Sequence, residues 1–162
     1  MNKSFCVGLK PKIGYIYIWL SLSNRLIYVG ETCSAHGVVG RARQHISEVG
    51  TLNSKLSDNG YEMGKIEDFY LFSFELPNTW EYTNEETTYR CAVEYLVQIE
   101  CQTRFQLEIG IDFYLVSHVD YNQKCRTPQN KLIAQHIIAE LIDNIRVIQN
   151  NYCLLYTSDA AD

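Results

Sequence analysis

The sequence has no run of lysine and arginine. Its 162 residues carry 14 Lys and Arg against 19 Asp and Glu, a formal net charge of −5. A protein that grips nucleic acid mainly through the phosphate backbone usually has a basic arm or patch, and none is visible here. A fold can still gather a few cations at one place, so the acidity counts against a nucleic-acid partner without excluding one. Long apolar runs are also lacking, and none reaches the roughly 20 residues that a bilayer-spanning helix needs. No helix-turn-helix, zinc-finger or AT-hook-like segment is present, nor any internal repeat or interdomain linker.

Paired cysteines are missing as well. The last ten residues, CLLYTSDAAD, resemble one reading frame of a sequencing-library adapter, and such segments are set aside before a fold is considered. That removes Cys153, Asp159 and Asp162, leaving 17 acidic against 14 basic residues and a charge of −3. The five remaining cysteines, Cys6, Cys33, Cys91, Cys101 and Cys125, are odd in number. With no signal-peptide pattern in MNKSFCVGLKPK, they point to a reducing cytoplasm and free thiols. Cys33 and His36 have half of a zinc-like spacing, but no second ligand pair follows.

What remains suits one α/β domain. Residues 1–12 read as a lead-in, 13–152 as the domain (core 14–102, extension 103–152) and 153–162 as the non-native tail. Residues 15–20 and 25–29 are β-type by composition, broken by SLSN. Residues 37–50 predict a helix packed through Ile46 and Val49, and 51–64 a loop or short helix. IEDFYLFSFEL, 66–76, alternates as a third strand. TNEE predicts a capping box with Thr83 as N-cap, opening a helix to about Gln102 with Tyr89, Ala92, Val93, Leu96 and Ile99 buried. IDFYLVSHV suggests a fourth strand. Residues 131–148 predict an amphipathic helix that buries Ile133, Ile137, Leu141 and Ile145. The expected architecture is a small, mostly antiparallel central sheet, a hairpin plus a third strand, flanked by helices and followed by a strand–helix extension.

Side chains alternate along a strand, so Tyr15, Tyr17 and Trp19 share one face and Tyr28 and Gly30 share a face of the next strand. A hairpin turning across SLSN would set Tyr17 directly opposite Tyr28. Taken alone, the pair is an ordinary cross-strand aromatic contact. On the following helix Arg41, His45 and Glu48 lie at i, i+4 and i+7, on one face, which by itself is a solvated charged stripe. Glu94 lies well round from the buried stripe of its helix, and Arg90, four residues earlier, offers it a surface ion pair.

In combination these pieces resemble the GIY-YIG nuclease superfamily. The resemblance rests on two tyrosines of a hairpin, on YVGET with Tyr28-Val29-Gly30, on Arg41-x-x-x-His45 and on Glu94 in CAVEYLVQ. It covers about residues 14–102 and extends more weakly to Asn130. Three features depart from the family pattern. The first motif reads Tyr15-Ile16-Tyr17 instead of Gly-Ile-Tyr. The connection from Gly30 to Arg41 is longer. The family's final asparagine has two candidates, Asn122 and, less favoured, Asn130.

The resemblance implies a DNA endonuclease, with RNA as a possible alternative substrate. Glu94 would hold one divalent cation, Mg²⁺ or Mn²⁺, whose remaining ligands are waters and phosphate. Tyr17 would be the general base, with His45 as relay. Tyr28 would orient water or phosphate, and Arg41 would bind the scissile phosphate. Arg43, Lys55 and Lys65 are the expected further contacts to nucleic acid. The alternative is a degenerate module of this type that binds nucleic acid or a partner without cleaving, which the Tyr-Ile-Tyr variant and the acidic charge favour.

Overall fold

A computed structural model describes the backbone of residues 12–45, 47 and 50–158, with side chains through Asn151. Most of the lead-in, Ile46, Glu48, Val49 and all tail side chains therefore lie outside the described residues. The two tyrosine-rich runs form strands Tyr15–Ser21 (β1) and Leu26–Thr32 (β2). Gly37–His45 (α1) and Thr51–Asp58 (α2) follow, then Tyr70–Glu75 (β3) and the short helix Trp80–Thr83 (α3). The long helix Thr88–Ile109 (α4), the two-residue strand Tyr114–Leu115 (β4) and helix Pro128–Ser158 (α5) complete the order.

The fold is α/β, with a four-stranded mixed sheet ordered β3-β1-β2-β4. β1 is antiparallel to both β2 and β3, whereas β4 runs parallel to β2. Both faces of the sheet are covered. Ile16, Ile18, Ile27, Val29, Phe72 and Phe74 pack against α4 and α5 through Val93, Val97, Ile138, Leu141 and Ile145. The opposite face puts Tyr15, Tyr17, Leu26 and Tyr28 against Val38 of α1 and Leu52 and Leu56 of α2. This double cover explains why β1 and β2 are buried almost without alternation. Ile137, Leu141 and Ile145 form the buried stripe of α5 as their spacing predicts. No helix of the described residues is long and apolar enough to cross a membrane.

Several expectations need correction. The hairpin register differs by two residues: Tyr17 lies opposite Gly30, and Tyr28 opposite Trp19. The turn is Leu22–Arg25 rather than SLSN, with Arg25 at φ 52°. Asp68 holds it there, accepting from Ser21 Oγ at 2.7 Å and from the amides of Leu22 and Ser23 at 2.9 Å each. Because the shift is even, the two tyrosines keep the same face. Thr83 ends α3 instead of capping α4, and its hydroxyl donates to the Thr79 carbonyl at 2.9 Å. α4 begins at Thr88 and continues past Gln102 to Ile109, where Gly110 at φ 69° closes it. Ile99, assigned to the buried stripe, is exposed, and Val97, Cys101 and Phe105 are buried instead. The α5 backbone begins at Pro128 and runs through Tyr152 to Ser158.

Candidate functional site

The site starts from Gly30. A Cβ there would collide with the phenol of Tyr17, which lies directly across the strand pair. Glycine thus lets the Tyr17 ring lie flat along β2, stacked at 24° and 6.2 Å from the ring of Tyr28. Helix α1 covers this face and lowers His45 between them, 5.4 Å from each ring. His45 is 2% exposed and Tyr17 1%. The Tyr17 hydroxyl and His45 Nε2 are 2.6 Å apart, one hydrogen bond across 28 residues of chain. Among the described residues, His45 Nδ1 has no partner. Arg41, one turn earlier on α1, donates to Gln44 Oε1 at 3.2 Å and acts on the charges of Tyr17, Tyr28, His45 and Glu94.

Glu94 arrives from α4. β4 pairs with Leu26 and Ile27 of β2, and beyond them a polar chain takes over along the strand edge. The Val29 amide donates to Ser117 Oγ at 2.9 Å. Gln98 Nε2 lies 3.3 Å from Ser117 Oγ and 3.4 Å from Glu94 Oε1. Glu94 is thereby held at the edge of the strand that carries Tyr28. It does not pair with Arg90. That guanidinium is buried and donates to Glu31 Oε2 at 2.6 Å, to the Tyr82 carbonyl at 3.0 Å and to the Asn84 carbonyl at 2.8 Å.

The electrostatics follow from burial. Burial raises the Tyr17 phenol well above its ordinary value, Tyr28 adds to the rise, and Arg41 opposes it. The Tyr28 phenol is raised by burial and by the Glu94 charge, with a hydrogen bond from Tyr17 acting the other way. His45 is lowered to about 4 by burial and by Arg41, so it is neutral at pH 7. Glu94 is pushed up to about 8 by burial and then by the neighbouring Glu31, with Arg41 in partial opposition. A carboxylate kept from ionising in this way gains from a nearby cation.

Among the described residues, no three His, Cys, Asp or Glu side chains gather closely enough to hold a metal by themselves. Glu94 nevertheless suits a hard divalent ion: among the described residues its protein contact is one long hydrogen bond, and waters and phosphate oxygens can fill the other positions. Of the predicted site residues, Tyr17, Tyr28, Arg41, His45 and Glu94 come together. Asn122 instead caps a 3₁₀ turn, accepting from the Lys124 amide at 2.9 Å and donating to the Thr88 carbonyl at 3.1 Å. Asn130 is fully buried and accepts from the Tyr82 hydroxyl at 2.6 Å. Arg43 and Lys55 are exposed on α1 and α2, and Lys65 pairs with Glu62 at 2.8 Å. Glu31 and Arg90 are participants that the sequence reading missed. Position 31 directly follows Tyr28-Val29-Gly30, but its partner lies 59 residues away. No family model, curated protein or solved structure matches this chain.

Proposed function

We propose that the chain is a metal-dependent endonuclease of the GIY-YIG type, hydrolysing phosphodiester bonds in DNA. The observation that carries this reading is the gathering of Tyr17 and Tyr28 of the hairpin against Arg41 and His45 of α1, with Glu94 acting electrostatically on Tyr28 and Arg41. Hydrolysis needs a base for the attacking water, a counter-charge for the phosphorane-like transition state and help for the leaving oxygen. A divalent cation at Glu94, Mg²⁺ or Mn²⁺, supplies Lewis-acid polarisation of the phosphate oxygens and water when bound.

The chain's own residues supply the rest. Arg41 donates charge-assisted hydrogen bonds to the scissile phosphate. Tyr17 takes a proton from the attacking water while passing its own to His45 Nε2, along the 2.6 Å hydrogen bond between them. Burial and the charge of Arg41 both disfavour the imidazolium so formed. The relay therefore works best once substrate phosphate has neutralised Arg41, which ties proton transfer to occupancy of the site. Tyr28, stacked on Tyr17, orients the water or phosphate.

A second reading has specific support. The Tyr17 phenol is held neutral by burial, and both candidate asparagines are engaged elsewhere in the fold. Both features fit a module that binds nucleic acid without cutting it. Incubating supercoiled plasmid with the protein separates the two. Nicking in Mg²⁺ that stops in EDTA supports the endonuclease, whereas retention of DNA without nicking supports the binding module.

A further inference from the structure

From Tyr121 through Ala139 the chain has no Asp or Glu, yet contains Lys124, Arg126, Lys131 and His136. In a chain of net charge −5 this is a stretch of 19 residues without a carboxylate side chain. Among the described residues, none of these three Lys and Arg side chains forms an ion pair. The segment leaves β4 and runs back along α4, the helix that carries Glu94. Val119 bonds Gln98, the Tyr121 ring meets Tyr95, Asn122 bonds Thr88 and Lys124 lies over Tyr89. Gln98 is the residue that contacts Glu94, and Tyr95 is its chain neighbour.

Tyr121 is 49% exposed, an unusual position for a ring held this firmly. Its edge-to-face contact with Tyr95 has centroids 5.7 Å apart at 79°. Its hydroxyl accepts from Arg126 Nε at 2.8 Å. Lys124 Nζ sits 4.7 Å from the centre of the Tyr89 ring. A fixed aromatic face beside unpaired cations is the combination that binds single-stranded nucleic acid. Bases stack on the ring, whatever their identity, while the cations meet the phosphates. An apolar partner would leave these cations unmatched.

We propose that Tyr121, Lys124 and Arg126 form a contact for an unpaired nucleotide flanking the scissile phosphate. This inference rests on the nuclease reading. Tyr121 stacks the base, and Arg126 and Lys124 take the adjacent phosphates. The substrate strand then runs from Arg41 on α1, past Glu94, to this platform beside Tyr95 of α4. It also assigns a preference: the enzyme favours DNA that is single-stranded or frayed beside the cut over continuous duplex.

The test is fluorescence anisotropy in EDTA with a labelled 20-nucleotide oligothymidine and with a labelled duplex of the same length. Tyr121→Ala should weaken oligothymidine binding about tenfold, the effect of losing one stacked base, and leave duplex binding within twofold. Tyr121→Phe should retain the wild-type affinity, which separates loss of the ring from misfolding. Arg126→Met should reduce the slope of log affinity against log salt by about 0.7 on the single strand. Wild-type oligothymidine binding by Tyr121→Ala, together with weakened binding by Arg41→Ala, would overturn the platform and leave the nuclease reading standing. No binding of either probe at low salt would overturn both.

Discussion

Replacing Glu94 by Gln should stabilise the protein at neutral pH and above, and hardly at pH 5. The carboxyl titrates at about 8 in the fold against an ordinary value of 4.5. Between those values the folded chain binds a proton that the unfolded chain has lost, so stability falls as pH rises. Each unit corresponds to about 1.4 kcal/mol, which makes the penalty at pH 7.5 about 2–4 kcal/mol. His45, lowered to about 4, has the opposite sign: its folded form holds less proton than the unfolded chain between about 4 and 6.5, so it destabilises as pH falls through that window. The two slopes offset each other below about pH 6.5, and above it only the Glu94 slope remains. Wild-type stability should therefore decline from pH 6.5 to 8. Glu94→Gln keeps the shape and removes the slope. Its melting temperature in EDTA should exceed wild type by about 5–10 °C at pH 7.5, taking about 2–4 °C per kcal/mol for a domain of this size, and by about 2 °C or less at pH 5. Circular-dichroism melts at pH 5, 6, 7 and 8 give the comparison directly. A variant that melts at or below wild type at pH 7.5, or that gains equally at every pH, would refute the reasoning.

Gly30→Ala should cost about 1–3 kcal/mol in urea denaturation, because the new methyl group meets a buried Tyr17 ring that has no room to move. Arg90→Met should cost about 3 kcal/mol in the same assay, since it leaves Glu31 and the Tyr82 and Asn84 carbonyls without their shared donor. A change under 1 kcal/mol would mean that water replaces the guanidinium at little cost. Added Mg²⁺ at pH 7.5 should raise the wild-type melting temperature and leave that of Glu94→Gln unchanged, because only the carboxylate gains from the cation.

The features legible in the sequence are those governed by local periodicity. Alternation along β1 and β2 sets Tyr17 and Tyr28 on one face, the four-residue spacing of Arg41 and His45 sets one helix face, and the stripe of α5 emerges as spaced. Long-range partners account for what was not legible. The hairpin register depends on Asp68, more than 40 residues beyond the turn, and on Arg25 in a left-handed conformation that no glycine announces. TNEE carries a capping pattern, yet the chain leaves α3 there and Thr83 turns back to Thr79. The Arg90–Glu94 spacing suggests a helix pair. Arg90 instead finds Glu31 and two loop carbonyls, a choice available only once β2 and α4 are docked. β4 is two residues long because a polar chain through Ser117 and Gln98 continues where its backbone pairing stops.

The most direct test of the proposed function is the nicking rate of supercoiled plasmid in Mg²⁺ by wild type, Tyr17→Phe and Glu94→Gln, each first verified as folded by its melt. Tyr17→Phe keeps the ring that packs under α1 and removes only the hydroxyl bonded to His45. Glu94→Gln keeps the contact with Gln98 and removes only the anion. Wild type should nick, with the rate lowered at least about a hundredfold in Tyr17→Phe, a range typical for loss of a general base, and lowered in Glu94→Gln through loss of the anion that holds the cation. Nicking by either variant at the wild-type rate would contradict the proposed function.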